Sequence, residues 1–171
     1  VLKVANPEFN SDEIIKCVNE AAGNDAGIIL FPELCITGYT CSDLFLQKTL
    51  LNAASASLIE IAQKTAAYNV LFSVGLPIVY NSSVFNCAAW ILKGKILACI
   101  PNYGEFYEAR HFTSAKVLEG RCDLRLDISP QHTNIPFGTD IILQDRGNRS
   151  FTLATEICED LWVSKSPSIE H

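Results

Sequence analysis

The sequence is first defined by what it lacks. No apolar run approaches the roughly 18 residues that a membrane-spanning helix needs, and the opening VLKVANPEFN is not a basic segment followed by an apolar one. A helical span and a targeting leader are therefore not expected, and the reading is a cytoplasmic chain without a membrane partner. Basic charge is also scarce: 13 Lys and Arg stand against 19 Asp and Glu, for a net charge of -6. No stripe of Lys and Arg interleaved with aromatics occurs, so nucleic acid is not an expected partner. The three histidines and seven cysteines show neither C-x2-C nor H-x3-H spacing, which argues against a metal site. Neither G-x-G-x-x-G nor a P-loop is present, so no nucleotide motif is found. The cysteines (17, 35, 41, 87, 99, 122, 158) are odd in number and mostly set in apolar runs such as NCAAW and LACI. Reduced, buried thiols fit that pattern better than a disulfide framework.

What is present suffices for one core: 171 residues, 49% hydrophobic and 19% charged. Asn10 with Glu13 reads as a capping box opening a helix, with Ile14, Ile15, Val18, Ala21 and Ala22 on one face and Gly23 at its end. GIILFPE (27–33) reads as a short strand buried on both faces. Helical spacing of Leu50, Leu51, Ala54, Leu58, Ile61, Ala62 and Thr65 predicts a second helix over 46–67. VLFSVGLP (70–77) returns as a strand. VFNCAAWIL and ILACI flank Lys93-Gly94-Lys95 and predict a β-hairpin; FGTDIILQD, RGN and FTLATEIC predict a second. The order of elements is α/β with a mixed sheet.

The stretch TLATEICEDLW carries the chemistry. It ends an apolar run on Cys158 with Glu156, Glu159 and Asp160 crowded around it, and negative neighbours hold back a thiolate. At a strand-to-loop turn such a cysteine is presented to substrate, and the next N–H, that of Glu159, points where an oxyanion would form. The alternative is a buried structural cysteine. Glu33, at the end of FPE, reads either as a strand-end carboxylate accepting loop hydrogen bonds or, beside a thiol in an apolar pocket, as a general base. A dedicated base removes the need for a resting thiolate, and the adjacent acids become tolerable.

FPELCITGYTCSDLF, PNYGEFYEAR and EICEDLW resemble three motifs of the nitrilase, or carbon–nitrogen hydrolase, superfamily. In detail they resemble its glutaminase branch, the N-terminal domains of glutamine-dependent NAD+ synthetases. VGLP, NCAAWILKGKI and IPFGTDIIL are similar too, so the resemblance covers nearly the whole chain, 1–171, as one incomplete glutaminase domain. It implies a four-layer α-β-β-α sandwich and a Cys–Glu–Lys catalytic set. By position, Cys158 would attack the side-chain amide of glutamine, Glu33 would carry the proton, and Glu159 would offer its N–H to the oxyanion. Tyr39, Tyr103 and Trp162 match pocket positions, with plain aromatic packing as the alternative. Glu105 matches an assisting glutamate, and Glu108 is its neighbour. The resemblance also implies a homo-oligomer, no cofactor in this domain, and a separate synthetase domain that uses ATP and Mg and receives the ammonia; that domain is absent from the sequence.

The sequence departs from the family where the catalytic lysine belongs, just before PNY. Here ILACIPNYG runs on with no lysine after Lys95. Lys93 and Lys95 are expected at the far end of the hairpin, and Lys116 in an unrelated loop, as solvated surface lysines. A first strand and a C-terminal part are also wanting, so the sandwich is expected to be partial. Three functions remain open: a glutaminase domain with segments missing, a stand-alone amidase for another small amide, and a non-catalytic binding or assembly module that has lost its lysine.

Overall fold

A computed structural model describes residues 1–104, 109–118, 120–126, 134–147 and 149–169. Helix α1 (Pro7–Gly23) starts earlier than expected. Asn6 is its cap, accepting from the Phe9 N–H at 3.0 Å, and Pro7 follows with its φ already set for a helix. Asn10 is not a cap but a buried clamp, which exchanges bonds with the Lys3 backbone and donates to Ile36 O at 2.9 Å. Strand β1 (Ile28–Leu30) is short and lies at one edge of the sheet. Ile28 and Leu30 are exposed, so the expectation of burial on both faces fails. A 3-10 turn, Ser42–Leu46, precedes α2 (Lys48–Lys64), which is shorter than the apolar periodicity suggested.

The main sheet adds β2 (Leu71–Tyr80), β3 (Ser83–Leu92), β4 (Lys95–Pro101), β5 (Cys122–Leu124) and β6 (Ile135–Phe137), in the order β1-β2-β3-β4-β6-β5. It is mixed, as expected: β1 is parallel to β2 and β4 to β6, while the other pairs are antiparallel. The β3–β4 hairpin turns through Lys93 and Gly94, at φ 49° and 78°. Two left-handed central residues match the right-handed strand twist, and glycine takes the second at little cost. The second hairpin is smaller than predicted. Ile135–Phe137 joins the main sheet, and only β7 (Leu143–Gln144) and β8 (Thr152–Leu153) pair with each other.

Period-2 alternation gives the sheet two unlike faces. Phe72, Val74, Leu76, Ile78, Phe85, Ala89 and Ile91 pack with Ile14 and Val18 of α1 and Leu58 and Ile61 of α2. The opposite face presents Trp90, Ala98 and Ile100, and these are covered by Ile141, Leu143 and Leu153 around the β7–β8 pair. That second covering segment leads into Cys158. All seven cysteines are free; Cys35, Cys41, Cys87 and Cys99 are buried, whereas Cys17 and Cys158 are exposed. Among the described residues no helix is long and apolar enough to cross a membrane, and no metal-binding cluster of side chains occurs.

Candidate active site

Glu33 is placed by a backbone contact rather than by a strand. After β1 the Phe31 N–H still donates to Ser73 O, and the chain then turns through Pro32, with Leu34 in the left-handed region at φ 51°. The turn rests on Gly75 of β2: Ile36 N donates to Gly75 O at 3.1 Å, and Gly75 N donates to Cys35 Sγ at 3.3 Å. A Cβ on Gly75 would lie 2.2 Å from Leu34 N and 2.9 Å from the Glu33 carbonyl carbon. Only glycine permits that approach. Burial pushes the Cys35 thiol up to about 11, so it serves this turn as a neutral packing group. The Glu33 side chain is met by Asn86 of β3, whose Nδ2 donates to Oε1 at 2.5 Å.

Cys158 arrives from the other side. Trp90 Nε1 donates to Thr155 Oγ1 at 2.8 Å, which anchors the segment after β8 on the sheet. Cys158 then opens a 3-10 turn, Cys158–Leu161, and stands at φ 48°. A side-chain-bearing residue at positive φ is uncommon, and such strain concentrates where a group must be displayed. The turn is held by Asp160, whose Oδ2 accepts from Ile157 N at 2.9 Å. Its Oδ1 accepts from Tyr103 N at 2.9 Å and Gly104 N at 2.7 Å, with Asn102 Nδ2 at 3.3 Å. Asp160 is thus the joint between the nucleophile turn and PNYG.

The crowd of acids around Cys158 is resolved by these contacts. Asp160 faces backbone amides, and Glu156 accepts from Ser166 Oγ and from Ser168 N. Glu159 lies over Gly104, where a Cβ would sit 2.5 Å from its Cγ. Although Cys158 as a residue is exposed, its thiol is raised above the ordinary cysteine range, first by partial desolvation of the sulfur at a cavity wall, then by Glu33; the Glu159 N–H lowers it and the Glu159 charge raises it again. Glu33 and Cys158, far apart in sequence, are thus brought to the wall of one cavity, and the thiol rests with its proton on. A carboxylate beside a neutral thiol is an arrangement that can serve as base and nucleophile. Both line a cavity of about 270 Å³, with Phe31, Ser73, Trp90 and Thr155 among its walls. That is at the small end for a ligand pocket and suits a metabolite-sized substrate.

The other residues singled out in the sequence fall elsewhere. Tyr39 and Trp162 are exposed, Trp162 by 84%, and neither they nor Tyr103 and Glu159 line that cavity. Tyr103 instead accepts from Ser114 Oγ at its carbonyl. Glu105 and Glu108 lie outside the described residues. β4 runs unbroken through Ile100 and Pro101, each paired to β3, so no lysine enters ahead of PNY. Lys116 is not in an unrelated loop: its Nζ sits 5.2 Å from the centre of the Tyr103 ring. Sequence reasoning passed over Asn86 and Asn102. A polar residue inside VFNCAAWIL was the available signal for the first.

The carbon–nitrogen hydrolase family profile matches residues 3–167. Glutamine-dependent NAD(+) synthetase of Rattus norvegicus is 32% identical over 172 residues, which cover 95% of this chain and 23% of that protein. The protein of the same name from Mycobacterium bovis is 28% identical, covering 98% of this chain and 24% of its own length. The chain thus spans about a quarter of the length of these relatives. A crystal structure of a glutamine-dependent NAD(+) synthetase from Cytophaga hutchinsonii aligns with a TM-score of 0.74 at 26% identity, over 85% of this chain and 24% of that one. An amidase from Nesterenkonia sp. shares the fold, with a TM-score of 0.58 at 21% identity over 74% of this chain and 48% of its own. With the family match spanning nearly all of its residues, the chain belongs to the carbon–nitrogen hydrolase family.

Proposed function

We propose that this chain is the glutamine-hydrolysing part of a glutamine-dependent NAD+ synthetase. The observation that carries the reading is the Glu33 carboxylate set against the Cys158 thiol at a small cavity. The named relatives supply the substrate. In the reaction, Cys158 Sγ attacks the side-chain carbonyl carbon of glutamine while Glu33 takes the thiol proton. The tetrahedral intermediate collapses as Glu33 returns that proton to the amide nitrogen, releasing ammonia and leaving a thioester. Water, deprotonated by Glu33, then attacks the thioester, and the proton restores the thiol as glutamate departs. The N–H of Glu159, the residue after the nucleophile, is the backbone donor for the oxyanion.

Ammonia so released would be consumed by a separate synthetase domain that binds ATP and Mg, in a cytoplasmic, homo-oligomeric enzyme. The four-layer α-β-β-α sandwich belongs to the same reading, as do contacts of Tyr39, Tyr103, Glu105 and Trp162 with substrate. The unbroken run from Ile100 to Pro101 bears on rate. A missing oxyanion donor costs roughly 10²- to 10³-fold in kcat, so turnover by this chain is expected to be slow, with acylation of Cys158 easier to observe. The test is glutamate release from glutamine by the chain and by its Cys158→Ala and Glu33→Gln variants. Release by the wild-type chain alone supports the proposal. Release from other small amides but not glutamine favours a stand-alone amidase, and glutamine binding without any release favours a non-catalytic module.

A further inference from the structure

Asn86 is a polar residue in the middle of an apolar strand, 2% exposed. It lies on the same face of β3 as Ala88 and Trp90, the face turned toward the candidate site. Its neighbour across the sheet is Pro77, which has no N–H to give, and the Asn86 carbonyl instead accepts from Asn102 N at 2.8 Å. The side chain donates from Nδ2 to Glu33 Oε1 at 2.5 Å, while Oδ1 is buried with no hydrogen-bond partner among the described residues. An ionised carboxylate only accepts, so the amide must turn its NH2 toward Glu33. Leaving Oδ1 unmet in a buried position is unfavourable, and packing alone gives no reason for asparagine here.

The contacts run from one side of the cavity to the other. Cys158 and Glu33 line it together; Glu33 accepts from Asn86; Asn86 O accepts from Asn102 N. Asn102 Nδ2 donates to Ile157 O at 2.8 Å, one residue before Cys158. We infer that Asn86 is the positioning residue of the base: together with Asn102 it holds the Glu33 carboxylate against the Cys158 thiol. This rests on the reading of Glu33 and Cys158 as base and nucleophile. Removing the amide takes away the hydrogen bond that fixes Oε1, and the proton-transfer geometry loosens. Among the described residues, the ionisable groups near Glu33 include the Cys158 thiol, Glu156 in the cavity wall and Glu159 beyond the thiol; Asp160 is turned to backbone amides.

The experiment is a titration of Cys158 in the intact chain, followed by thiolate ultraviolet absorbance as the difference between each protein and the same protein carrying Cys158→Ala. Glu33→Gln is the reference, because it removes the charge that holds the thiol up. Asn86→Leu, and Asn86→Ala should the first fail to fold, are expected to lower the Cys158 midpoint in the same direction as Glu33→Gln and by a smaller amount, since the carboxylate keeps its charge and loses only its fixed position. Combined with Glu33→Gln, either is expected to give no further fall, since the two act as one unit. A midpoint unchanged in a folded Asn86 variant, with Glu33→Gln lowering it, overturns this inference alone. A midpoint unchanged in Glu33→Gln removes the pairing on which both the inference and the proposed function stand.

Discussion

The Glu33 carboxylate faces the Cys158 thiol, and it makes that thiol harder, not easier, to ionise. Thiol activation at this site is therefore deferred to the moment of attack. The two side chains come from opposite directions, one from a turn laid on Gly75 and the other from a turn tied to PNYG by Asp160.

Replacing Glu33 with Gln should separate ionisation from catalysis. The wild-type thiol is raised by burial and by Glu33, so it is protonated at neutral pH and its thiolate appears only above the ordinary cysteine range. Glu33→Gln leaves burial in force and removes the charge, so the midpoint falls. Glutamine hydrolysis should nonetheless drop by roughly 10²-fold or more, because the carboxylate proposed to carry the proton to ammonia is gone. Thiol titration and glutamate assay of the one variant are expected to move in opposite senses.

Gly75→Ala should damage the site from beneath. The added Cβ meets backbone at 2.2 Å, where no side chain can yield. Overpacking of this kind costs about 1–3 kcal/mol, or a fall in Tm of roughly 3–10 °C for a chain of this size. Because the displaced backbone is that of Glu33 and Leu34, Cys158 acylation should fall beyond what the loss of folded protein explains. Thermal melts paired with mass spectrometry of the acylated chain check both.

Asp160→Asn keeps the shape of the side chain and halves its accepting capacity. Ile157 N and the pair Tyr103 N and Gly104 N lie on different carboxylate oxygens, so an amide must turn its NH2 against one set of donors. Hydrogen bonds to a charged group are worth about 1.5–3 kcal/mol, and a loss of roughly 5–10 °C in Tm is expected. Hydrogen exchange at Tyr103, Gly104 and Ile157 should accelerate together in the variant, since one carboxylate protects all three.

At Cys158 itself, glycine should fold better than alanine. The φ of 48° is costly for any residue with a Cβ, by about 1–2 kcal/mol, and nearly free for glycine. Glycine pays back part of that in unfolded-state entropy, so Cys158→Gly is expected to melt a few degrees above Cys158→Ala, with both inactive. Equal melting temperatures would show that the turn is not strained.

Much of this arrangement was legible before the structure. The apolar periodicities of α1, α2, β2 and the first hairpin rest on burial, and burial writes itself into sequence at periods of 3.6 and 2. In sequence Cys158 and Glu33 read as a reactive residue type at a strand end and a carboxylate behind FP, whereas β8 ends at Leu153 and β1 at Leu30, so both stand on turns beyond the strands. What escaped was set by contacts at long range. Asn10 matches a capping pattern yet is a clamp on Ile36, because a local pattern does not reveal which backbone groups fold over it. The carboxylates of EICEDLW read as neighbours of the thiol in sequence, but Asp160 and Glu156 point to other partners. Asn86 and Gly75 carry roles that exist only once Glu33 is brought beside β2 and β3. Tyr39 and Trp162 stand at motif positions, and their exposure depends on surfaces that a motif does not encode.

The most direct test of the central claim is exposure of the chain to an electrophilic glutamine analogue, followed by intact-mass and peptide mass spectrometry. The account predicts one adduct per chain, on Cys158, suppressed by excess glutamine, with the exposed Cys17 unlabelled. No adduct, or equal labelling of Cys17 and Cys158 that glutamine does not suppress, would contradict it.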